Sequence, residues 1–204
     1  MLAAMKVEGY RLYIRPLDTP DAASLADAVN VSLSELIPTM PWVNGTVTLK
    51  DEKQFIDAAG QKMIATESLT CGMFLSKTDE LIGTIGTHAI DWMNQRTSIG
   101  YWIATPYAGN GYTPEASVLM LEYLFTEYKL HRVGIQTALA NARSKRVIEK
   151  LGFTFEGEWR EAELVHGSWK TLASFSMLAQ EYRGRKEELY RALLGGHRPK
   201  IKFE

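Results

Sequence analysis

The stretch Ile99-Gly100-Tyr101-Trp102-Ile103-Ala104-Thr105-Pro106-Tyr107-Ala108-Gly109-Asn110-Gly111-Tyr112-Thr113-Pro114-Glu115-Ala116 constrains this chain more than any other. Its first residues predict a strand running to Ala104. A Gly-Asn-Gly turn follows, and a helix begins at once, its buried face marked by Ala116, Leu119, Met120, Tyr123 and Leu124. The first N–H groups of such a helix are unpaired and carry partial positive charge. Glycines let that backbone come close to a phosphate group. Pro114 sits where a missing N–H costs nothing. Taken alone, the same residues also fit a tight turn with an ordinary cap.

A second segment carries comparable information. Asn141-Ala142-Arg143-Ser144-Lys145-Arg146-Val147-Ile148-Glu149-Lys150-Leu151-Gly152-Phe153 directly follows a predicted strand, Arg132 to Thr137. Asn141 can cap the helix, and Gly152 can end it. Ser144 then lies one turn in, facing back toward the end of the strand. A capped helix with a charged outer face is the alternative reading.

The remaining chain sets these segments in an alternating order. Tyr10, Leu12 and Ile14 predict a strand, and Pro20 starts a helix running to about Val29. A short helical piece covers Val31 to Leu36. A loop between Pro38 and Val43 carries Met40 and Trp42. Thr48 and Asp51 cap a helix whose apolar positions are Phe55, Ile56, Ala59, Met63 and Ile64. Cys71 to Lys77, Leu81 to Ile90 and Thr97 to Ala104 form an antiparallel meander. Phe153 to Glu163 and Trp169 to Leu178 flank a His166-Gly167 turn, and an amphipathic helix spans Glu181 to Leu194. The order predicts an α/β fold with a mixed sheet that is not doubly wound.

Composition adds exclusions. The 204 residues suit one domain with a sizeable core, and 46% apolar with 23% charged residues is ordinary for a folded protein. A net charge of −1 gives no global field for nucleic acid, so no direct nucleic-acid binding is expected. Residues 183–204 carry seven lysines and arginines against three glutamates. They read as a solvated helix with a frayed basic end. Cys71, the single cysteine, excludes internal disulfides and thiolate clusters, and its period-two neighbours Met73 and Leu75 predict a core position. His88, His131, His166 and His197 lack metal-ligand spacing, so no metal is expected. The opening Met1 to Lys6 is too short an apolar run for a secretory signal, and no long apolar run predicts a membrane span. A reduced, cytoplasmic setting is the simplest expectation.

Together and in this order, the two segments resemble the GNAT acetyltransferase superfamily, and within it the RimJ/RimL-like group that acetylates ribosomal-protein N-termini. The resemblance runs from about Tyr10 to Leu178. It is carried by Ile99-Gly100-Tyr101-Trp102-Ile103, Gly109-Asn110-Gly111-Tyr112, Asn141-Ala142-Arg143-Ser144, and Leu151-Gly152-Phe153 with Glu156-Gly157 and Arg160-Glu161-Ala162-Glu163. It implies the acyl-CoA N-acyltransferase fold, a mostly antiparallel sheet of about seven strands flanked by helices. The domain would cover residues 1–180, with the amphipathic helix and basic tail as residues 181–204.

The resemblance also implies roles. The co-substrate is acetyl-CoA. Backbone of Trp102, Ile103 and Ala104 would bond the acetyl carbonyl and pantetheine arm. Backbone of Gly109, Asn110, Gly111, Tyr112 and Thr113 would hold the pyrophosphate. Asn141 would contact pantetheine, and Ser144 would approach the sulfur and protonate the leaving thiolate. Glu163 matches the position of a general base, and the loop with Trp42 would flank the acceptor. Pro106 departs from the pattern, which often has Gln or Arg there, and Arg143 or Lys145 could supply the missing phosphate affinity. The acceptor would be a protein N-terminus or a small amine, and a homodimer follows by analogy. A module that holds acyl-CoA without turnover is the competing class.

Overall fold

The computed structural model describes residues 5–203, so the reading of Met1 to Ala4 lies outside the described residues. The strands are β1 (Met5–Glu8), β2 (Leu12–Pro16), β3 (Thr70–Leu75), β4 (Leu81–Thr87), β5 (Arg96–Ile103), β6 (Arg132–Ala138), β7 (Thr154–Val165), β8 (Ser168–Leu178) and β9 (Lys200–Phe203). The helices are α1 (Ala22–Asn30), α2 (Leu33–Leu36), α3 (Leu49–Ile64), α4 (Tyr112–Thr126), α5 (Ala142–Leu151) and α6 (Ala179–Leu193). The strands make one sheet in the order β7-β8-β6-β5-β4-β3-β2-β1-β9. Every pairing is antiparallel except β5 with β6.

Strand alternation gives each face its own core. Leu12, Ile14, Cys71, Met73, Ile85, Ile99, Val133 and Met177 bury one face under α4, α5 and α6. Tyr13, Phe74, Leu81 and Trp102 bury the other with Leu25 and Val29 of α1, Leu36 of α2 and Ile56 of α3. Helix α4 is almost entirely enclosed, from Thr113 to Leu121. Cys71 is fully buried, as its neighbours predict, and burial pushes its thiol far up. Among the described residues no helix is long and apolar enough to cross a membrane.

Local signals set the element ends. Thr48 and Asp51 form a reciprocal capping box at α3. Gly152 closes α5 in the left-handed conformation. His166 and Gly167, both at positive φ, make the two-residue β7–β8 turn.

Three expectations need correction. Among the described residues the sheet has nine strands rather than about seven, because β1 pairs with β2 and β9 pairs with β1 from Met5↔Phe203 to Glu8↔Lys200. The basic tail is therefore not frayed at residues 200–203, and the Lys202 ammonium lies 2.8 Å from the Glu8 carboxylate. Phe55 and Ile64 of α3 are exposed, because only Glu52 and Ile56 turn fully inward.

Glu52 carries a testable consequence. It is buried in the first turn of α3, and burial lifts its carboxyl from 4.5 to about 7, with Asp51's charge adding to the effect. A raised carboxyl binds its proton more tightly in the folded chain, so stability falls as pH climbs from about 4.5 through about 7. Glu52→Gln should raise the melting temperature by about 2–5 °C at pH 8 and change it little at pH 5. Thermal melts at both pH values check this, and equal shifts at both would contradict it.

Candidate active site

The site begins where the sheet comes apart. Strands β5 and β6 pair only over Arg96–Ser98 and Arg132–Gly134. Beyond that, β5 is held by β4 and β6 by β8. The Ala104 N–H donates to the Ile82 carbonyl at 2.8 Å, and the His88 N–H donates to the Ser98 carbonyl at 2.8 Å. In an antiparallel ladder such bonding pairs recur at every second residue. Ser98, Gly100, Trp102 and Ala104 therefore turn their polar backbone toward β4. Tyr101 and Ile103 turn theirs across the split. An unpaired strand edge of this kind can bind an extended chain.

This geometry redistributes the expected trio. Ile103 offers its backbone to the cleft, and Tyr101, which was not among the expected residues, does the same. Trp102 and Ala104 are committed to the ladder. The Trp102 side chain is buried on the α1–α3 face, where Trp42 packs against it at 6.2 Å between ring centroids. The loop bearing Trp42 is clamped at its far end: Asn30 Nδ2 donates to the Val47 carbonyl, and the Val47 N–H donates to Asn30 Oδ1.

Below the cleft lies the glycine turn. Gly109 and Gly111 both adopt left-handed backbone, with φ of 82° and 80°. A side chain at Gly109 would meet nothing within 4 Å, so that surface is open. The turn's carbonyls are gathered inward. Asn110 Nδ2 donates to the Tyr107 and Ala108 carbonyls at 3.2 and 3.3 Å. Arg11 Nη1 donates to the Asn110 carbonyl at 2.9 Å. In a trans peptide the N–H points opposite to its carbonyl. The Gly109 and Gly111 N–H groups therefore face away from these donors, beside the orphan N–H groups of the first turn of α4. That is a cradle for an anion.

Helix α5 supplies the opposite wall. Asn141 Oδ1 accepts the Ser144 N–H at 3.0 Å, which fixes the start of the helix. Ser144 Oγ lies 3.1 Å from the Tyr101 hydroxyl, so one hydrogen bond spans β5 and α5. Burial pushes the Tyr101 phenol up to about 12, while the bond to Ser144 pulls in the opposite direction. Arg143, a candidate for phosphate binding, instead meets Glu35 of α2 at 2.6 Å.

Glu163 stands apart from this cluster. It pairs with Lys170 where the β7–β8 hairpin runs past the end of β6, whose last partner is Leu172. The register shifts between Trp159 and Glu163, with Glu161 at a φ of 49°. Among the described residues Glu163 makes no hydrogen bond to Ser144 or Tyr101. Two further residues escaped sequence reasoning, Arg11 and Glu115. Their only signal would have been a pairing across 104 residues.

Comparisons with known proteins agree with this architecture. The family profile described as acetyltransferase (GNAT) domain matches residues 11–154, more than half of the chain. YdaF of Bacillus subtilis (strain 168), provisionally named a ribosomal N-acetyltransferase, is 38% identical over 106 residues, which span 52% of this chain and 58% of YdaF. YjcK of the same strain, provisionally named an N-acetyltransferase, is 30% identical over 167 residues, spanning 80% of this chain and 92% of YjcK. The structure of Mycobacterium smegmatis RimJ in complex with CoA-disulfide superposes with a TM-score of 0.83 at 21% identity, covering 93% of this chain and 92% of that one.

The Tyr101 environment can be checked directly. Its ring-carbon NMR resonance, assigned by loss in Tyr101→Phe, should stay unshifted up to pH 11, whereas an unperturbed tyrosine titrates near about 10. A midpoint near about 10 would contradict the buried position.

Proposed function

We propose that this chain, which belongs to the GNAT acetyltransferase family, moves the acetyl group of acetyl-CoA to the α-amine of a protein or peptide N-terminus. The observation that carries the reading is the split between β5 and β6 with the glycine cradle at its mouth. The family match covers both, together with Asn141 and Ser144.

The residues present suit the co-substrate. The open surface at Gly109 and the outward amides of Gly109, Gly111, Tyr112 and Thr113 would take the diphosphate. The Tyr101 and Ile103 edge would hold the pantetheine arm, helped by the side-chain amide of Asn141. Bound acetyl-CoA supplies a thioester, an acetyl group already activated for transfer to an amine. An inward N–H of the edge strand would stabilise negative charge developing on the acetyl oxygen. The Ser144 hydroxyl would donate a proton toward the sulfur, held in place by Tyr101. Trp42, packed against the buried Trp102, would flank the acceptor's approach on the α1–α3 face.

Proton affinity favours an N-terminal amine. An α-amine titrates near about 8 and needs little help to be neutral at pH 7, whereas a lysine amine near about 10.4 needs more than three units. A single carboxylate acting through water suffices for the first. Glu163, on the hairpin beyond β6, is the proposed base. The provisional name of YdaF, a ribosomal N-acetyltransferase, supports a protein acceptor.

Thiol release from acetyl-CoA, measured against a panel of acceptors, tests the reading. Peptides with free N-termini should exceed spermidine and an aminoglycoside by at least about tenfold in kcat/KM, and N-terminally blocked, lysine-bearing peptides should be poor. A small amine that outperforms the peptides would overturn the acceptor assignment. CoA binding without thiol release for any amine would mark a non-catalytic module. In the same assay Glu163→Gln should lower kcat about 100-fold at pH 7 and leave CoA affinity nearly unchanged. Equal turnover would remove Glu163 from the base role.

A further inference from the structure

The glycine cradle has no cation of its own. Residues 105–113 read Thr-Pro-Tyr-Ala-Gly-Asn-Gly-Tyr-Thr, without lysine or arginine. Arg143 is turned to Glu35. One guanidinium nevertheless lies against the loop, brought there from 99 residues earlier in the chain. It belongs to Arg11, in the turn between β1 and β2.

Arg11 is held by a buried acid. Glu115, in the first turn of α4, is wholly enclosed. Its Oε1 accepts the N–H groups of Tyr10, Arg11 and Leu12 at 2.9, 2.6 and 3.3 Å. Its Oε2 accepts Arg11 Nε at 2.9 Å. A carboxylate with that many donors fixes the turn, and the turn fixes the base of the arginine. The far end of Arg11 bonds the Asn110 carbonyl and lies over the Tyr112 ring, 4.7 Å from its centroid. Its Nη2 stands 3.4 Å from where a Gly111 side chain would begin.

A guanidinium has five N–H donors in one plane. Here Nε–H goes to Glu115 and one Nη1–H goes to Asn110, which leaves three for another acceptor. The side chain is 38% exposed, so those donors are open to solvent on the carbonyl side of the loop. We propose that Arg11, held by Glu115, is a positioning residue of this site and sets the glycine cradle for the 5′-diphosphate of coenzyme A. It acts in two ways. It draws the Asn110 carbonyl back, so that the Gly111 N–H faces the ligand, and it adds a fixed positive charge behind the same peptide, on its carbonyl side. The inference rests on the acetyl-CoA reading above.

Calorimetry with CoA, 3′-dephospho-CoA and pantetheine separates the contributions. Arg11→Gln should weaken CoA and 3′-dephospho-CoA alike, by about 10- to 100-fold, because the cradle loses both the set of its Gly111 N–H and a nearby positive charge. The salt dependence of CoA binding should become shallower. Turnover of S-acetyl-pantetheine, which has no diphosphate, should match wild type and would fall if the substitution merely disordered the site. Unchanged CoA affinity in folded Arg11→Gln would overturn the proposal, as would equal losses for CoA and the pantetheine substrate. A loss for CoA but not for 3′-dephospho-CoA would reassign Arg11 to the 3′-phosphate and overturn the diphosphate assignment. If Arg11→Gln fails to fold, Arg11→Lys carries the test. It keeps the charge but not the fork, and should lose about three- to tenfold in affinity for CoA and 3′-dephospho-CoA alike, with S-acetyl-pantetheine turnover unchanged. Wild-type protein that binds none of the three would overturn the acetyl-CoA reading itself, a result distinct from any failure of the variants.

Discussion

Three residue pairs between β5 and β6 decide what this sheet can do. A parallel ladder that stops at Ser98 and Gly134 leaves two strands diverging, each secured by its outer neighbour. Backbone polar groups freed in this way are costly to leave unsatisfied and are therefore ready to bond a ligand. The alternation of the ladder then selects which groups are free. Tyr101 and Ile103 face the opening, and Trp102 faces its partner strand and the second core. A continuous parallel pairing through Ala138 would close the cleft and leave an ordinary mixed sheet.

Around that opening, side chains aim the backbone. Asn110 and Arg11 collect the carbonyls of the glycine turn, which commits the intervening N–H groups to the other side. Asn141 caps α5 and thereby places Ser144 opposite Tyr101. Glu115 ties the first strands of the sheet to the start of α4, so the cradle is braced from a distant part of the chain. Donors held by packing before a ligand arrives have little reorganisation left to do on binding.

Much of this is legible in the sequence because its causes are local. The Gly109-Asn110-Gly111 turn, the Asn141 cap, the Gly152 stop and the His166-Gly167 hairpin are each set by residues a few positions apart. Strands β1 and β9 are not legible, since each has four residues, and β9 is a strand only because β1, itself paired with β2, pairs with it across the whole chain. Arg11 with Glu115 and Tyr101 with Ser144 escape for the same reason, being bonds between distant segments. In α3, Phe55 and Ile64 have apolar spacing yet face outward, because the helix packs on α1 and on β3 and buries only a narrow stripe. The role proposed for Glu163 rests on family resemblance alone.

The most direct test is residue-resolved amide hydrogen exchange with and without saturating CoA. Tyr101, Ile103, Gly109 and Gly111 should gain protection on binding, while Trp102 and Ala104, already bonded within the sheet, should change little. Uniform protection along residues 100–104, or none at Tyr101 and Ile103, would contradict a cleft built from the parted edges of β5 and β6.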